Sequence, residues 1–345
     1  MSAFAPRSDA ELADWLRSRP GRVRLMGAGS RVGRAAPADG AHAVQLAGLD
    51  AIERLDAPDQ TCTVGCGVRR EALDDALRAH DLELPCPGGG TIGGLFAADP
   101  LGAASHAGHS PRSLLLGLEG VLADGTAFRS GARVVKSVAG YDVHKLFVGS
   151  EGRLYAATKL HLRLKPRPRA ESWFAHDGLA DAEALARLQA LRAEPVAPAA
   201  VQLRRDGGGV TLVGRCAGRP TFVRAQLQKH ALTESECAWS DHLTAPTGGE
   251  IVAGLARASA LPGLFAALPA TATLLWHGGG RFEAALPDAA ASDALLKTAA
   301  AHDVTARVVA TTAPARRERG SPTDPGAAHL AAALRSALDP HGILV

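Results

Sequence analysis

Five of the seven residues from 88 to 94 are glycine, in the run Pro87-Gly88-Gly89-Gly90-Thr91-Ile92-Gly93-Gly94. Each glycine costs about 0.5–1 kcal/mol relative to alanine inside regular structure. Such density therefore belongs where a backbone turns sharply or approaches another group closely. Gly93 and Gly94 stand at the start of a predicted helix, where peptide N–H groups can meet an anion such as a pyrophosphate, and Thr91 adds a hydroxyl. Two more glycines, Gly102 and Gly108, follow in the same stretch. An earlier segment, Gly27-Ala28-Gly29-Ser30-Arg31-Val32-Gly33, directly follows the apolar run Arg22 to Met26 and offers a second cradle of small residues. It superficially matches a nicotinamide-dinucleotide fingerprint, but Pro37 and Gly40 interrupt the stretch where that motif needs a helix.

Composition narrows the function classes. The chain has 345 residues, 46% hydrophobic, enough for two or three packed units. Its net charge of +3 comes from 38 basic and 35 acidic residues spread along the whole length, which disfavours a nucleic-acid footprint. The N-terminal residues carry charge every few positions and no apolar run reaches the roughly 18 residues of a membrane span, so a soluble cytoplasmic chain without a transmembrane segment is expected. Cys62, Cys66, Cys86, Cys216 and Cys237 include no C-x-x-C pair, which argues against a disulfide framework, a metal site or an iron–sulfur cluster in this chain.

Periodicity predicts an α+β architecture. Ser8 with Glu11 three residues on forms a capping box, opening a helix that ends near Pro20. Short strands are expected at 22–26, 42–46 and 61–65, and a helix over 69–80. In Leu154–Lys165, Leu154, Ala156, Thr158, Leu160, Leu162 and Leu164 alternate with Tyr155, Ala157, Lys159, His161, Arg163 and Lys165, predicting a strand with one buried and one wet face. Pro166 and Pro168 end it, and residues 165–172 read as a domain boundary. Beyond it, a hairpin turning at Asp206–Gly209, helices over 221–230, 261–268 and 288–302, and strands between them predict two similar halves of an antiparallel sheet with helices on one face. A Pro- and Gly-rich linker then leads to a helix that returns to the first unit. The expected organisation is 1–168, split near 85, then 169–312 and 313–345.

The ordered set GAGS, PGGGTIGG, VKSVAGYDVHKLFVGSEGRLYAATKLHLRLKPRP and ALDPHGIL resembles the vanillyl-alcohol-oxidase, or PCMH-type, FAD-binding superfamily. Within it the chain is most similar to the FAD-binding E subunits of bacterial glycolate oxidases. The resemblance covers most of Arg22 to Pro168 and the last dozen residues. It implies a two-part FAD-binding domain with an α+β antiparallel-sheet cap. The implied cofactor is FAD, with Gly27, Ala28, Gly29, Ser30 and Arg31 and the segment Pro87, Gly88, Gly89, Gly90, Thr91, Ile92, Gly93 and Gly94 around the pyrophosphate. Gly102, Gly108, Gly152, Tyr155 and Ala156 would line the rest. Gly29 and Ser30 stand where covalently flavinylated relatives carry histidine, so the FAD is expected to be non-covalent. Ser113 replaces a usual aspartate, and Gly152-Arg153-Leu154-Tyr155 replaces Gly-Thr-Leu-Gly. Val345 stands where relatives continue with Asn-Pro-Gly-Arg.

Oxidising a 2-hydroxy acid takes a base or metal, a cation for the carboxylate and a hydride acceptor. Catalytic relatives carry His-x-Gly-Asp-Gly-Asn-x-His on the cap, whereas this chain reads Trp276-His277-Gly278-Gly279-Gly280-Arg281-Phe282-Glu283, so no catalytic residue is assigned. His277 with Glu283, His106 with His109, Lys136, and the cluster Tyr141, Asp142, His144 and Lys145 remain candidates for proton or anion work. Each has a plainer reading as turn, surface or solvated helix. The resemblance implies the FAD-binding subunit of a glycolate-oxidising complex, with a catalytic flavoprotein subunit and an iron–sulfur subunit as partners and any membrane contact made through them. The alternatives are a free-standing FAD-dependent oxidoreductase of a small alcohol or hydroxy acid, or an assembly subunit without flavin.

Overall fold

The computed structural model describes residues 3–18, 21–29, 40–86, 88–98, 109–132, 141–235, 243–316, 320 and 325–345. Helix α1 (Asp9–Arg17) starts at Ser8, whose hydroxyl accepts from Glu11 N at 3.2 Å. The Glu11 carboxylate reaches one residue beyond the usual capping box and accepts from Arg7 N at 2.8 Å. Strands β1 (Val23–Met26) and β2 (His42–Gln45) pair in parallel. Phe4 bridges Val44 on one side and Leu344 bridges Val23 on the other, so the ends of the chain flank this pair. Val23 N donates to Ile343 O at 2.7 Å and Val345 N to Val23 O at 3.0 Å.

Next come β3 (Ile52–Asp56), β4 (Thr61–Gly65), α2 (Arg70–Arg78), β5 (Leu82–Glu83), α3 (Ile92–Ala98), α4 (Pro111–Leu114), β6 (Leu115–Val121), β7 (Ala127–Gly131) and β8 (Ala156–Arg163). A sheet in the order β3-β4-β8-β6-β7 results, antiparallel throughout, with β8 at its centre. The simple alternation expected along β8 does not hold. Lys159 pairs with Glu119 and Ala157 with Gly120, leaving Thr158 as a bulge residue opposite nothing on β6. The extra residue reverses the faces. Tyr155 and Ala157 join Leu160, Leu162 and Leu164 in the core formed with α2 and α3, while Ala156 turns to the core beneath α1. The face expected to be wet is buried at Tyr155, Ala157 and His161.

The segment 165–172, expected as a boundary, carries β9 (Lys165–Pro166), which pairs with β5, and the start of β10 (Ala170–Leu179). Helix α5 (Asp181–Arg192), the hairpin β11 (Ala200–Asp206) and β12 (Gly209–Gly218), α6 (Pro220–Lys229), β13 (Glu250–Leu255), α7 (Leu261–Ala266), β14 (Thr273–His277), β15 (Arg281–Leu286), α8 (Ala289–Ala301) and β16 (Thr305–Ala310) follow. Their strands form one antiparallel sheet, β10-β12-β11-β14-β15-β13-β16. It has two mirrored halves that meet at the β11–β14 seam. The second half, β14-β15-β13-β16, is a β-α-β-β-α-β unit. The first, β10-β12-β11, has the same order with its fourth edge reduced to a short bridge, where Glu234 pairs with Phe174. Helices α5 to α8 cover one face, burying Leu188, Val223, Leu264 and Leu295 against Phe174, Leu203, Trp276 and Phe282. Helix α9 (Pro325–Leu338) then leads back toward β1.

Asp339 closes this return. Its buried carboxylate accepts from Ile343 N at 2.9 Å and Leu344 N at 2.7 Å, turning the chain so that residues 343–345 reach β1. Asp339→Ala leaves two buried amides unsatisfied and is expected to lower stability by about 2–3 kcal/mol. Urea unfolding of the variant checks this, and an unchanged midpoint would rule out the clamp.

Candidate cofactor site

The two glycine segments meet. A methyl group at Gly27 would lie 2.0 Å from Thr91 Oγ1, so only glycine fits where the β1 loop crosses the start of α3. Gly152, at φ +77°, faces the Leu25 side chain, so the turn before β8 joins the same place. Gly29, Gly88 and Gly90 have φ of +73°, +98° and +90°, the left-handed region that side chains avoid. Gln45 supports the first loop from the neighbouring strand. Turned with its nitrogen toward them, its amide reaches Gly27 O at 2.7 Å and Met26 O at 2.9 Å.

One residue pins both flanks of the second loop. Arg70 N donates to Gly90 O at 2.8 Å, while the Arg70 guanidinium, held by Asp74 at 2.8 Å, donates to Leu84 O at 3.0 Å and to Cys86 O. Burial pulls the Arg70 pKa down, but Cys86, Asp74 and Glu83 more than compensate and leave it raised.

The hydrogen bonds of the loop amend the expectation for its amides. Ile92 N donates to Val68 O and Gly93 N to Cys66 O, both at 2.8 Å, and Gly94 N donates to Thr91 Oγ1 at 3.3 Å. The amides of Gly93 and Gly94, expected to face an anion, are spent inside the protein, as is that of Ile92. Thr91 is buried, its hydroxyl capping α3 and filling the space against Gly27. Gly93 is glycine because Cys66 Cβ would lie 2.6 Å from its methyl. Among the described residues, the amides of Gly27 to Gly29 and of Gly88 to Gly90 have no internal acceptor, and Ala28, Gly29 and Gly89 are exposed.

Other expected positions separate from this seam. Ile92, Tyr155 and Ala156 are fully buried. Tyr155 packs edge-on to Phe128 with centroids 4.9 Å apart, stacks on Phe147 and donates to Val143 O at 3.2 Å. Its bulk, expected beside a cofactor, fills the core instead, and burial raises its phenol pKa far above the usual value. Ser113 occupies the third position of a capping box, its Oγ accepting from Ser110 N at 3.1 Å, which gives the replacement of aspartate a structural use. Ser30, Arg31, Val32, Gly33, Pro87, Gly102, His106, Gly108 and Lys136 lie outside the described residues.

The remaining candidates fall into two groups. The segment Val143–Phe147 is a short 3-10 helix rather than a solvated α-helix. Tyr141 is exposed, but His144 is buried with Nδ1 3.2 Å from Ser130 Oγ. Lys145 donates to Arg112 O at 2.7 Å. Burial first, then the Lys145 charge, holds the His144 imidazole below its ordinary pKa. The same sign applies to His109, where burial is joined by Lys165, Arg163 and Arg215. Histidine 277 and Glu283 sit on the helix-free face of the seven-stranded sheet rather than in a loop. The chain turns between them at 278–280. His277 Nδ1 lies 3.2 Å from Gln202 Nε2 across the β11–β14 seam, and Glu283, fully buried, accepts from Leu243 N at 3.0 Å. The same face reaches the turn before β8, because Arg307 on β16 pairs with Glu151 at 3.1 Å.

The chain is similar to several known proteins. The family described as FAD binding domain matches residues 3–131. D-lactate dehydrogenase of Archaeoglobus fulgidus is 37% identical over 118 residues, which span 33% of this chain and 27% of that protein. Glycolate oxidase subunit GlcD of Bacillus subtilis is 31% identical over 175 residues, 48% of this chain and 37% of the relative. Glycolate oxidase subunit GlcE of Escherichia coli is 34% identical over 124 residues, 34% of this chain and 35% of the relative. The aligned segments thus span well under half of each relative. Among solved structures, alkyldihydroxyacetonephosphate synthase shares the fold with a TM-score of 0.71 at 15% identity, covering 98% of this chain and 74% of that one.

Two outcomes test the site's construction. Gly27→Ala is expected to destabilise the fold, and Thr91→Ala, which removes the colliding oxygen, to make the double variant less unstable than the sum of the singles. Strict additivity in denaturant unfolding would mean that the two segments do not touch. For His144 the folded pKa lies below the unfolded value, so its contribution is complete above about pH 6.5 and is lost as pH falls through the depressed folded pKa. His144→Gln should therefore flatten the acid side of the stability profile, measured as the urea midpoint against pH.

Proposed function

We propose that this chain, whose residues 3–131 match the FAD binding domain family, is an FAD-dependent oxidoreductase subunit of the PCMH-type superfamily and the FAD-carrying member of a glycolate-oxidising complex. The observation that carries the reading is the Gly27–Thr91 seam, where two loops of small residues meet whose amides at Gly27 to Gly29 and Gly88 to Gly90 have no acceptor among the described residues. A dinucleotide diphosphate fits such a place because backbone N–H groups can meet its oxygens without side chains in the way. Gly27, Ala28, Gly29, Gly88, Gly89 and Gly90 would hold the diphosphate, with Gly152 beside them. Gln45 and Arg70 would keep the two loops in shape. FAD held there would supply the redox group of this subunit within the complex. With no histidine among Gly27 to Gly29, it would be held non-covalently.

Relatives named as glycolate oxidase subunits support placement in a complex, and relatives named as D-lactate dehydrogenases support a hydroxy acid as the class of substrate. In that complex a catalytic flavoprotein would oxidise the hydroxy acid and an iron–sulfur subunit would carry electrons onward. The residues from 169 to 312 would act as the cap, the helix-free face of their sheet turned toward the cofactor. No helix among the described residues is long and apolar enough to cross a membrane. A second reading, a free-standing oxidoreductase, draws on Gln202, His277 and Glu283, which place a buried imidazole and carboxylate on that same face.

An absorbance spectrum of purified protein with and without added FAD tests the cofactor. Bands of oxidised flavin and release of FAD into the acid supernatant are expected, and Arg70→Met should weaken FAD binding by about tenfold, roughly 1.4 kcal/mol. Protein that stays colourless after incubation with FAD would leave an assembly role without flavin. Turnover of glycolate with an artificial acceptor by the isolated chain would favour the free-standing enzyme. Activity only after adding the partner subunits supports the complex.

A further inference from the structure

The β5–β9 ribbon, where the first unit passes into the cap, carries charge on one side. Leu82, Leu84 and Leu164 enter the core under α2 and α3. Side chains alternate along an extended chain, so Glu83, Arg163 and Lys165 turn the other way, with Glu83 directly opposite Lys165 in the strand pair. On the cap, Phe174 and Cys216 pack under the helices, which leaves their neighbours Trp173 and Arg215 on the helix-free face. There the Arg215 guanidinium lies 5.7 Å from the centre of the Trp173 ring. The two sides act on one another. Burial raises the Glu83 pKa, and the charges of Arg215 and Glu171 on the cap reach the same carboxylate, as do those of Arg167 and Arg70. Burial holds His109 below its ordinary pKa, helped by Lys165, Arg163 and Arg215. Glu83, His109, Arg163, Lys165, Trp173 and Arg215 are all half-buried, so solvent reaches them without surrounding them.

The charges at this junction do not balance. Arg215 gives one arm to Glu171 at 3.1 Å, while its Nε is buried without an acceptor. Arg70 is already matched by Asp74 at 2.8 Å. Glu83, Arg163 and Lys165 have no ion pair and no side-chain hydrogen bond among the described residues. With His109 biased toward its neutral form, the cations Arg163, Lys165 and Arg215 face the carboxylates Glu83 and Glu171, a surplus of one positive charge. Half-buried cations without counter-ions lose hydration and repel one another, so an anion placed among them is stabilised. Charge and access select which anion. A protein or lipid surface would meet the exposed Arg167 and Arg169 first, whereas the half-buried set admits a small molecule. A phosphate group carries more than one negative charge near neutral pH and would overshoot the surplus beside Glu83. A monocarboxylate matches it and can accept charge-assisted hydrogen bonds from an ammonium and a guanidinium together. We propose that the junction of the β5–β9 ribbon with β10 and β12 binds a small monocarboxylate, held by Lys165 and Arg163 of the first unit and by Arg215 of the cap. That the ligand is a 2-hydroxy acid or its 2-oxo product rests on the hydroxy-acid reading above.

The test titrates sodium glycolate into the full chain, after incubation with FAD, by calorimetry. Acetate and inorganic phosphate serve as comparison anions, and the flavin spectrum is read on each sample. Saturable glycolate binding is expected, and Lys165→Met and Arg163→Gln should each weaken it about tenfold, the effect of losing one charged hydrogen bond. Lys165→Arg, which keeps the charge, should recover most of that loss. Lys297→Met removes the same charge from the exposed side of α8 and should change nothing. Because Arg163 and Lys165 are partly in solvent and unpaired, these variants should keep the parent's thermal melt and its flavin spectrum. Glycolate binding that none of the junction variants weakens would overturn the site, as would phosphate binding more tightly than glycolate. Acetate bound as tightly as glycolate would support the carboxylate site while overturning the assignment to a hydroxy acid. A chain that holds FAD but binds no monocarboxylate overturns the proposal and leaves the FAD-subunit reading standing. One that binds glycolate through Lys165 but takes up no FAD supports the site and overturns that reading instead.

Discussion

The approach of Gly27 to Thr91 is the contact on which the first part of the molecule depends. Val23 and Leu25 of β1, just before the loop, pack in the core under α1, and Ile92, next to Thr91, packs in the core under α2 and α3. The Thr91 side chain fills the crossing and leaves no room for one on Gly27, so the two segments stand close. Adding a single methyl group would force them apart. The same two loops carry amides without an acceptor among the described residues, so the joint that holds the two parts together also has spare donors. Structural economy and ligand binding coincide there because glycine serves both.

Strand β8 carries the consequence through the sheet. It contributes side chains to both cores, and it can do so because the Thr158 bulge reverses its faces midway. The Thr158 hydroxyl, fully buried, donates to Glu119 O at 3.2 Å and so satisfies a carbonyl near the irregular register. Without the bulge, Tyr155 and Ala157 would face α1 while Leu160 and Leu162 faced α2, and the aromatic contacts of Tyr155 with Phe128 and Phe147 would be lost. The turn at 149–152 is held from the other side by Gly149 N to Phe96 O and Glu151 N to Ala97 O. Glu151 adopts φ +54° in that turn and meets Arg307 of the seven-stranded sheet. One short turn therefore touches β1, α3 and the second sheet.

Much of this was legible where local chemistry decided the outcome. Ser8 marked α1, the Asp206–Gly209 turn marked the β11–β12 hairpin, and the glycine runs marked the seam. What escaped reading was set by distant partners. Gly94 N is taken locally by the Thr91 hydroxyl, but the amides of Ile92 and Gly93 have no competing acceptor nearby in sequence. Their acceptors, Val68 O and Cys66 O, come from a segment more than twenty residues upstream. Gln45 and Arg70 gave no motif, since an amide or guanidinium that props up a loop has no fixed spacing from it. The β8 pattern fitted simple alternation until its register to β6 showed an extra residue. Strand β10 and helix α5 were obscured by a proline boundary and an alanine-rich composition, so their amphipathic contrast was weak.

The arrangement of polar groups separates holding a dinucleotide from acting on a substrate. At the glycine seam the available groups are amides, which bind an anion but have no proton to exchange near neutral pH. The imidazoles near the first unit point the same way: burial keeps His109 and His144 biased toward the neutral form, and the neighbouring Lys145 or the Lys165, Arg163 and Arg215 set opposes adding a proton. A neutral imidazole in a cationic surround is a poor proton donor, although it leaves the site attractive to anions. Proton-active chemistry would have to come from the opposite sheet, where Glu283 and His277 are buried near the seam of its two halves. Glu283 is already committed to Leu243 N, and His277 is engaged with Gln202. Both therefore have structural employment on that face. This distribution suits a chain that carries a flavin more readily than one that completes a hydroxy-acid oxidation with its own side chains.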